Sequence, residues 1–138
     1  MSEELLTKDF QEIFRLGSDA LIKEKKYLKA IKLFSLCLNK DPKNSFVWSQ
    51  IGCAYLENRE MKMALECLNT SIFLEPSNVE TYLKLAYLFF ETGKIQESIS
   101  TFEKCLEIDP VNISALRNLA YIKLQLNFKN IENLNFFE

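Results

Sequence analysis

Residues 39–44 read Asn39-Lys40-Asp41-Pro42-Lys43-Asn44, and the phrase returns as Phe73-Leu74-Glu75-Pro76-Ser77-Asn78 and as Glu107-Ile108-Asp109-Pro110-Val111-Asn112. Each contains an acid, a proline, a variable residue and an asparagine. The prolines are 34 residues apart in both intervals, so the register does not slip. Proline lacks an N–H and disfavours the α conformation at the residue before it, which stops the preceding helix. Asparagine two residues later offers a side-chain oxygen to an unpaired backbone N–H and starts the next one. One short phrase therefore closes one helix and opens another.

Working outward from these stops, the apolar residues recur at three- and four-residue spacings. That predicts amphipathic helices over about 7–23, 27–40, 45–58, 61–74, 79–92, 95–108 and 113–126. The central segment runs Trp48-x-x-Ile51-Gly52-x-x-Tyr55, then Ala64-x-x-x-Leu68, then Pro76. The next runs Tyr82-x-x-Leu85-Ala86-x-x-Phe89, then Ser98-x-x-x-Phe102, then Pro110. The first runs Phe14-x-x-Gly17-Ser18-x-x-Leu21, then Ala30-x-x-x-Phe34, then Pro42, with glycine at a place where the others have a larger apolar residue. Small residues at Gly52, Ala64, Ala86 and Ser98 allow neighbouring helices to approach closely.

This pattern resembles the tetratricopeptide repeat family over about residues 8–126. The resemblance implies an all-α fold, a right-handed α-solenoid of antiparallel helix pairs. The expected organisation is a single domain over 1–138, with repeat one at 11–44, repeat two at 45–78, repeat three at 79–112 and a capping helix at 113–126. The tail, 127–138, reads either as a truncated second helix or as a frayed terminus.

The totals narrow the function. A formal charge of −2 and a pI near 5.4 give no global attraction to nucleic acid or to an anionic membrane surface. No apolar run reaches the length of a membrane span, and the acidic start MSEELLTKDF has no secretory core, so a cytoplasmic protein is expected. There is no histidine, glycine-rich phosphate loop or nucleophile elbow, so the reading is of a non-enzyme without cofactor or metal. Cys37 and Cys105 fall at equivalent places two periods apart, with Ser71 between them, which points to a demand for a small core side chain. Lys23, Lys25, Lys26, Lys29 and Lys32 are interrupted by Glu24 and read as a solvated turn.

The expected partner is a protein. The resemblance implies that the first helix of each pair lines a concave groove. Transferring it through the 34-residue period gives Arg15 and Asp19 in repeat one, and Gln50, Cys53 and Leu56 in repeat two. Repeat three contributes Leu83, Lys84, Tyr87 and Phe90, and the cap contributes Arg117 and Tyr121. One subgroup of the family grips acidic chaperone tails with basic and asparagine side chains on these helices. Here Arg15 and Lys84 match in charge, but Asp19 and Gln50 replace asparagines and Glu80 replaces a lysine. Two acids at an anion site repel a carboxylate. The groove is thus expected to hold an apolar or amphipathic peptide segment, as a scaffold or adaptor does. The alternatives are a chaperone for apolar clients of the secretion type, and a self-associating repeat protein whose homo-oligomer forms through Phe128, Ile131, Leu134, Phe136 and Phe137 of the tail.

Overall fold

The computed structural model describes residues 3–135, and their regular structure is helical throughout: α1 (Glu3–Thr7), α2 (Phe10–Ile22), α3 (Tyr27–Lys40), α4 (Ser45–Glu57), α5 (Met61–Leu74), α6 (Val79–Glu91), α7 (Ile95–Ile108) and α8 (Ile113–Asn135). The chain forms two compact units, one ending at Thr81 and one beginning at Tyr82. In the first, α2 packs on α3, α3 on α4 and α4 on α5. In the second, α7 packs on α8.

The caps explain the boundaries. Asn44 Oδ1 accepts from Val47 N at 3.1 Å, Asn78 Oδ1 from Glu80 N at 3.1 Å and Asn112 Oδ1 from Ala115 N at 2.9 Å. The acid of the phrase supports the cap, since the Asn44 and Asn112 amides donate to Asp41 and Asp109 at 3.0 and 3.2 Å. Each such cap contributes about 1 kcal/mol. Trp48 ties the start of α4 to the same turn, its indole N–H reaching the Pro42 carbonyl at 3.0 Å.

The expected first helix, 7–23, is instead two. Asp9 is extended and accepts from Glu12 N at 2.9 Å, so it separates α1 from α2 and caps the latter. Counted from the caps, Gly17 follows Asp9 by eight residues, as Gly52 follows Asn44, Ala86 follows Asn78 and Ala120 follows Asn112. The first helix is therefore offset by one residue from the proline period, and Gly17 corresponds to Gly52 rather than to Ile51. Both glycines admit a large side chain from the next helix. A Cβ on Gly17 would lie 2.7 Å from Phe34 Cε1, and one on Gly52 would lie 2.8 Å from Leu68 Cγ. The apparent anomaly of a glycine in the first unit is the same close contact, shifted.

Within each pair the turn contains a left-handed residue, at Lys25 (φ 54), Arg59 (φ 63) and Gly93 (φ 79), again 34 residues apart. In the second and third pairs two backbone bonds close the turn: Arg59 N to Leu56 O with Glu60 N to Tyr55 O, and Gly93 N to Phe90 O with Lys94 N to Phe89 O. That is the Schellman arrangement, which favours glycine at the left-handed site. Gly93→Ala is expected to lower the unfolding free energy by about 1 kcal/mol, although the added methyl meets no atom within 4 Å, because the cost is in the backbone. Urea denaturation should show a lower midpoint with an unchanged slope; an unchanged midpoint would contradict this account of the turn.

The core is apolar and small residues are fitted among large ones. Ile13, Ala20, Ala30, Phe34, Val47, Ala54 and Leu68 are almost wholly inaccessible in the first unit. Cys37, Ser71 and Cys105 are all fully buried, as a size requirement demands. The Ser71 hydroxyl donates to the Ser45 carbonyl at 2.8 Å and lies 3.1 Å from the buried Thr81 hydroxyl, so burial leaves no polar atom unsatisfied there. Burial raises the Cys37 and Cys67 thiols from 9.0 to about 11, which keeps them protonated and unreactive at neutral pH.

At the other end, α8 runs through the expected stop at 126 to Asn135, so 127–135 continues the capping helix instead of starting a second one. No proline or glycine lies beyond Pro110 to interrupt it. Phe128 is exposed, whereas the side chains of Ile131 and Leu134 and all of Phe136 and Phe137 lie outside the described residues. No described helix is long and apolar enough to cross a membrane.

Candidate functional site

The caps that position the first helices also set which side chains share a face. Five, six and nine residues after the cap stand Ser49, Gln50 and Cys53 on α4, Leu83, Lys84 and Tyr87 on α6, and Arg117, Asn118 and Tyr121 on α8. On α2 the same count gives Phe14, Arg15 and Ser18, one residue before the set that the proline period supplies. These residues line an open recess together with Gln11 and Glu12. Arg15 thus remains on the face, in the register of Gln50. Asp19 moves off that register and is held by Arg15 at 3.7 Å and Lys23 at 3.2 Å.

The first unit presents an aromatic edge rather than a charged one. The Phe14 ring lies 5.5 Å from that of Phe46, which is 45% exposed. Gln50 and Cys53 are half-buried. Leu56 is only 4% exposed, so it belongs to the core and is removed from the residues able to touch a partner. Its register position is twelve residues after the cap, which in α6 holds the half-buried Phe90; the same position faces inward in α4 and is partly open in α6.

The second unit gathers three of the expected residues around one recess. Tyr87, Phe90 and Tyr121 line it with Asn118 over a floor of Phe102 and Ile122. The Phe90 and Tyr121 rings meet edge to face at 6.4 Å. A wider recess of about 270 Å³ continues from Phe90 and Tyr121 past Ile95, Gln125 and Leu126 to Lys129. Tyr87 and Tyr121 are 45% and 53% exposed, so two amphipathic rings stand over an apolar floor. Leu83 and Lys84 are half-buried beside them, and Arg117 is exposed. Phe102 and Ile122 had no signal as site residues because their own helices use them as core; only the packing of α6, α7 and α8 shows them beneath the rings. Phe14 could have been found by taking Asp9 as the cap.

Charge is balanced locally. Asp19 pairs with Arg15 and Lys23, while Glu24 takes Lys26 at 3.6 Å and Lys29 at 3.0 Å, so the lysine-rich turn is internally compensated. The Lys29 ammonium, hydrogen-bonded to Glu24, holds that carboxyl below its usual range. Among the described residues no group of three or more potential ligands is placed to hold a metal ion. The geometry offers apolar anchoring and hydrogen bonding.

Residues 47–78 and 79–112 each match the tetratricopeptide repeat family. Over residues 47–112 the chain consists of tetratricopeptide repeats. Its repeats are similar in fold to several solved domains. The first repeat domain of Spaghetti (RPAP3), bound to the HSP90 peptide SRMEEVD, aligns at a TM-score of 0.77 and 24% identity, covering 86% of this chain and 93% of that one. The Sgt2 domain from Aspergillus fumigatus aligns at 0.79 and 21%, covering 90% and 83%. The second repeat domain of human RPAP3, in complex with the HSP70 peptide SGPTIEEVD, aligns at 0.71 and 24%, covering 83% and 98%. No curated protein matches the chain. At these identities the likeness establishes the tetratricopeptide repeat fold, and the side chains on the shared faces carry any statement about a ligand.

Proposed function

We propose that this protein is an adaptor that binds an apolar or amphipathic peptide segment of a partner protein, with Tyr87, Phe90 and Tyr121 as anchors. The observation that carries the reading is the recess of the second unit, where two half-exposed tyrosines stand over Phe102 and Ile122. Aromatic rings beside a desolvated floor supply much of the affinity in peptide recognition. Within the same unit, Leu83 and Lys84 of α6 and Arg117 of α8 share the cap-counted register of these anchors and give polar and apolar edges that orient the segment.

Two of the similar domains hold acidic chaperone peptides, which makes a peptide the natural class of ligand. The charges here argue for a different peptide. Arg15 is already paired with Asp19, and Glu80 lies one helical turn before Lys84. A carboxylate-rich tail would meet compensated cations. The cytoplasm is the compartment proposed, since the half-buried Cys53 thiol remains reduced there.

Fluorescence anisotropy with two classes of labelled peptide tests this reading. Display-selected peptides rich in aromatic and aliphatic residues should saturate at micromolar concentrations, whereas SRMEEVD should not saturate in the same range. Tight binding of SRMEEVD with no binding of the selected apolar peptides would overturn the proposal.

A further inference from the structure

The helix α8 has two apolar faces. Ala115, Leu119 and Ile122 are buried within the second unit, on the side of α7. On the opposite side run Ile113, Leu116, Ala120 and Leu124, spaced three, four and four residues apart; Ile113, Leu116 and Leu124 are 69%, 47% and 56% exposed, and Ala120 is exposed as well. This stripe is separate from the recess lined by Tyr87, Phe90 and Phe102.

Its register shows what shape it accepts. Ala120 stands eight residues after the cap Asn112, the place held by Gly17, Gly52 and Ala86. In those helices this place meets the second helix of the pair: Phe34 lies against Gly17, Leu68 against Gly52, and the Ser98 hydroxyl reaches the Ala86 carbonyl at 2.8 Å. The helices that fit there carry a small residue and, four residues on, a large one: Ala30 and Phe34, Ala64 and Leu68, Ser98 and Phe102. On α8 the same surface, small at Ala120 and apolar around it, is open to solvent.

Charge indicates the occupant. Arg117 and Lys123 flank the stripe on its two sides, both exposed, and Glu132 is the only acid in α8, eight residues beyond Leu124. A second copy paired face to face would set these cations against themselves, which disfavours self-association. We propose that the outer face of α8 docks an amphipathic helix of a partner protein that carries a small-x-x-x-large seam and acidic residues on its flanks. Such a helix completes the pair that α8 begins and neutralises Arg117 and Lys123.

The chain supplies suitable probes. A labelled peptide copying residues 95–108 has the seam Ser98 and Phe102 with Glu97, Glu103 and Glu107 against Lys104, while one copying 27–40 has the seam Ala30 and Phe34 with Lys29, Lys32 and Lys40 and no acid. Anisotropy titrations with the full chain should show the 95–108 peptide binding about tenfold more tightly than the 27–40 peptide, as two ion pairs added to one apolar seam imply. Arg117→Glu combined with Lys123→Glu should reverse the order, which exchange of the peptide for the chain's own α7 would not do. Equal binding of the two peptides, or an order unmoved by charge reversal, overturns the proposal. A sedimenting dimer that Leu116→Glu dissolves also overturns it, by making a second copy the occupant.

Discussion

Replacing Phe34 by alanine is expected to cost about 3–5 kcal/mol, a large share of the stability of a chain this size. The ring is fully buried and tilts against Phe14 at 5.4 Å. More tellingly, it lies over a glycine. The backbone of α2 already approaches so closely that a Cβ at Gly17 would sit 2.7 Å from the ring. Little further collapse is available, and a cavity that cannot collapse places the loss toward the upper end of the range. In repeat proteins stability is roughly a sum over nearest neighbours, so the damage should fall first on the pair α2–α3. Hydrogen exchange should show lost protection over residues 10–40 with protection retained over 95–126. A uniform loss along the chain, or a midpoint within error of the parent in urea, would contradict this packing account.

The stops of the helices were legible because they rest on local chemistry. Pro42, Pro76 and Pro110 end α3, α5 and α7 near where the phrase predicts, and the asparagines cap α4, α6 and α8 as their position requires. The first helix was misphased because no such phrase precedes it. Asp9 takes the cap instead, and the one-residue offset is absorbed in the turn at 23–26, where Glu24 N and Lys26 N reach back to Asp19 O and Ala20 O in a looser closure than the later turns. That offset displaced the expected site residues of repeat one by one position. It leaves the partly exposed Phe14 out of the proline-counted set and places Asp19 one position beyond the cap-counted register.

The C-terminal stretch reads from sequence either as a truncated second helix or as a frayed terminus, whereas α8 runs on to Asn135. Its asparagines suggest fraying, but no proline or glycine lies between Ile113 and Asn135 to break the helix, and an exposed asparagine costs only a few tenths of a kcal/mol there. For the site, periodicity was enough to bring Tyr87, Phe90 and Tyr121 together because all three are large and follow the cap register. It was not enough to tell Leu56 from Phe90. Which way a side chain at that position faces depends on the helix packed beside it, and that is a tertiary fact.

The second large effect concerns binding. Tyr87 and Tyr121 are each about half-exposed, and neither is a core residue, so alanine at both positions should leave the fold intact. If they anchor a peptide over Phe102 and Ile122, each is expected to contribute about 2 kcal/mol, and the double substitution should weaken binding several-hundredfold by that order-of-magnitude reckoning. Arg117, exposed and outside the lining of the recess, should matter less, because exposed charges are well hydrated in both states.

The direct test is isothermal titration of one display-selected apolar peptide into the parent chain and into Tyr87→Ala/Tyr121→Ala, with circular dichroism on both. The account predicts identical helix content, saturable binding by the parent and no measurable heat from the double variant. An unchanged affinity in a folded double variant would contradict it and remove the tyrosine recess as the place where this repeat protein holds its partner.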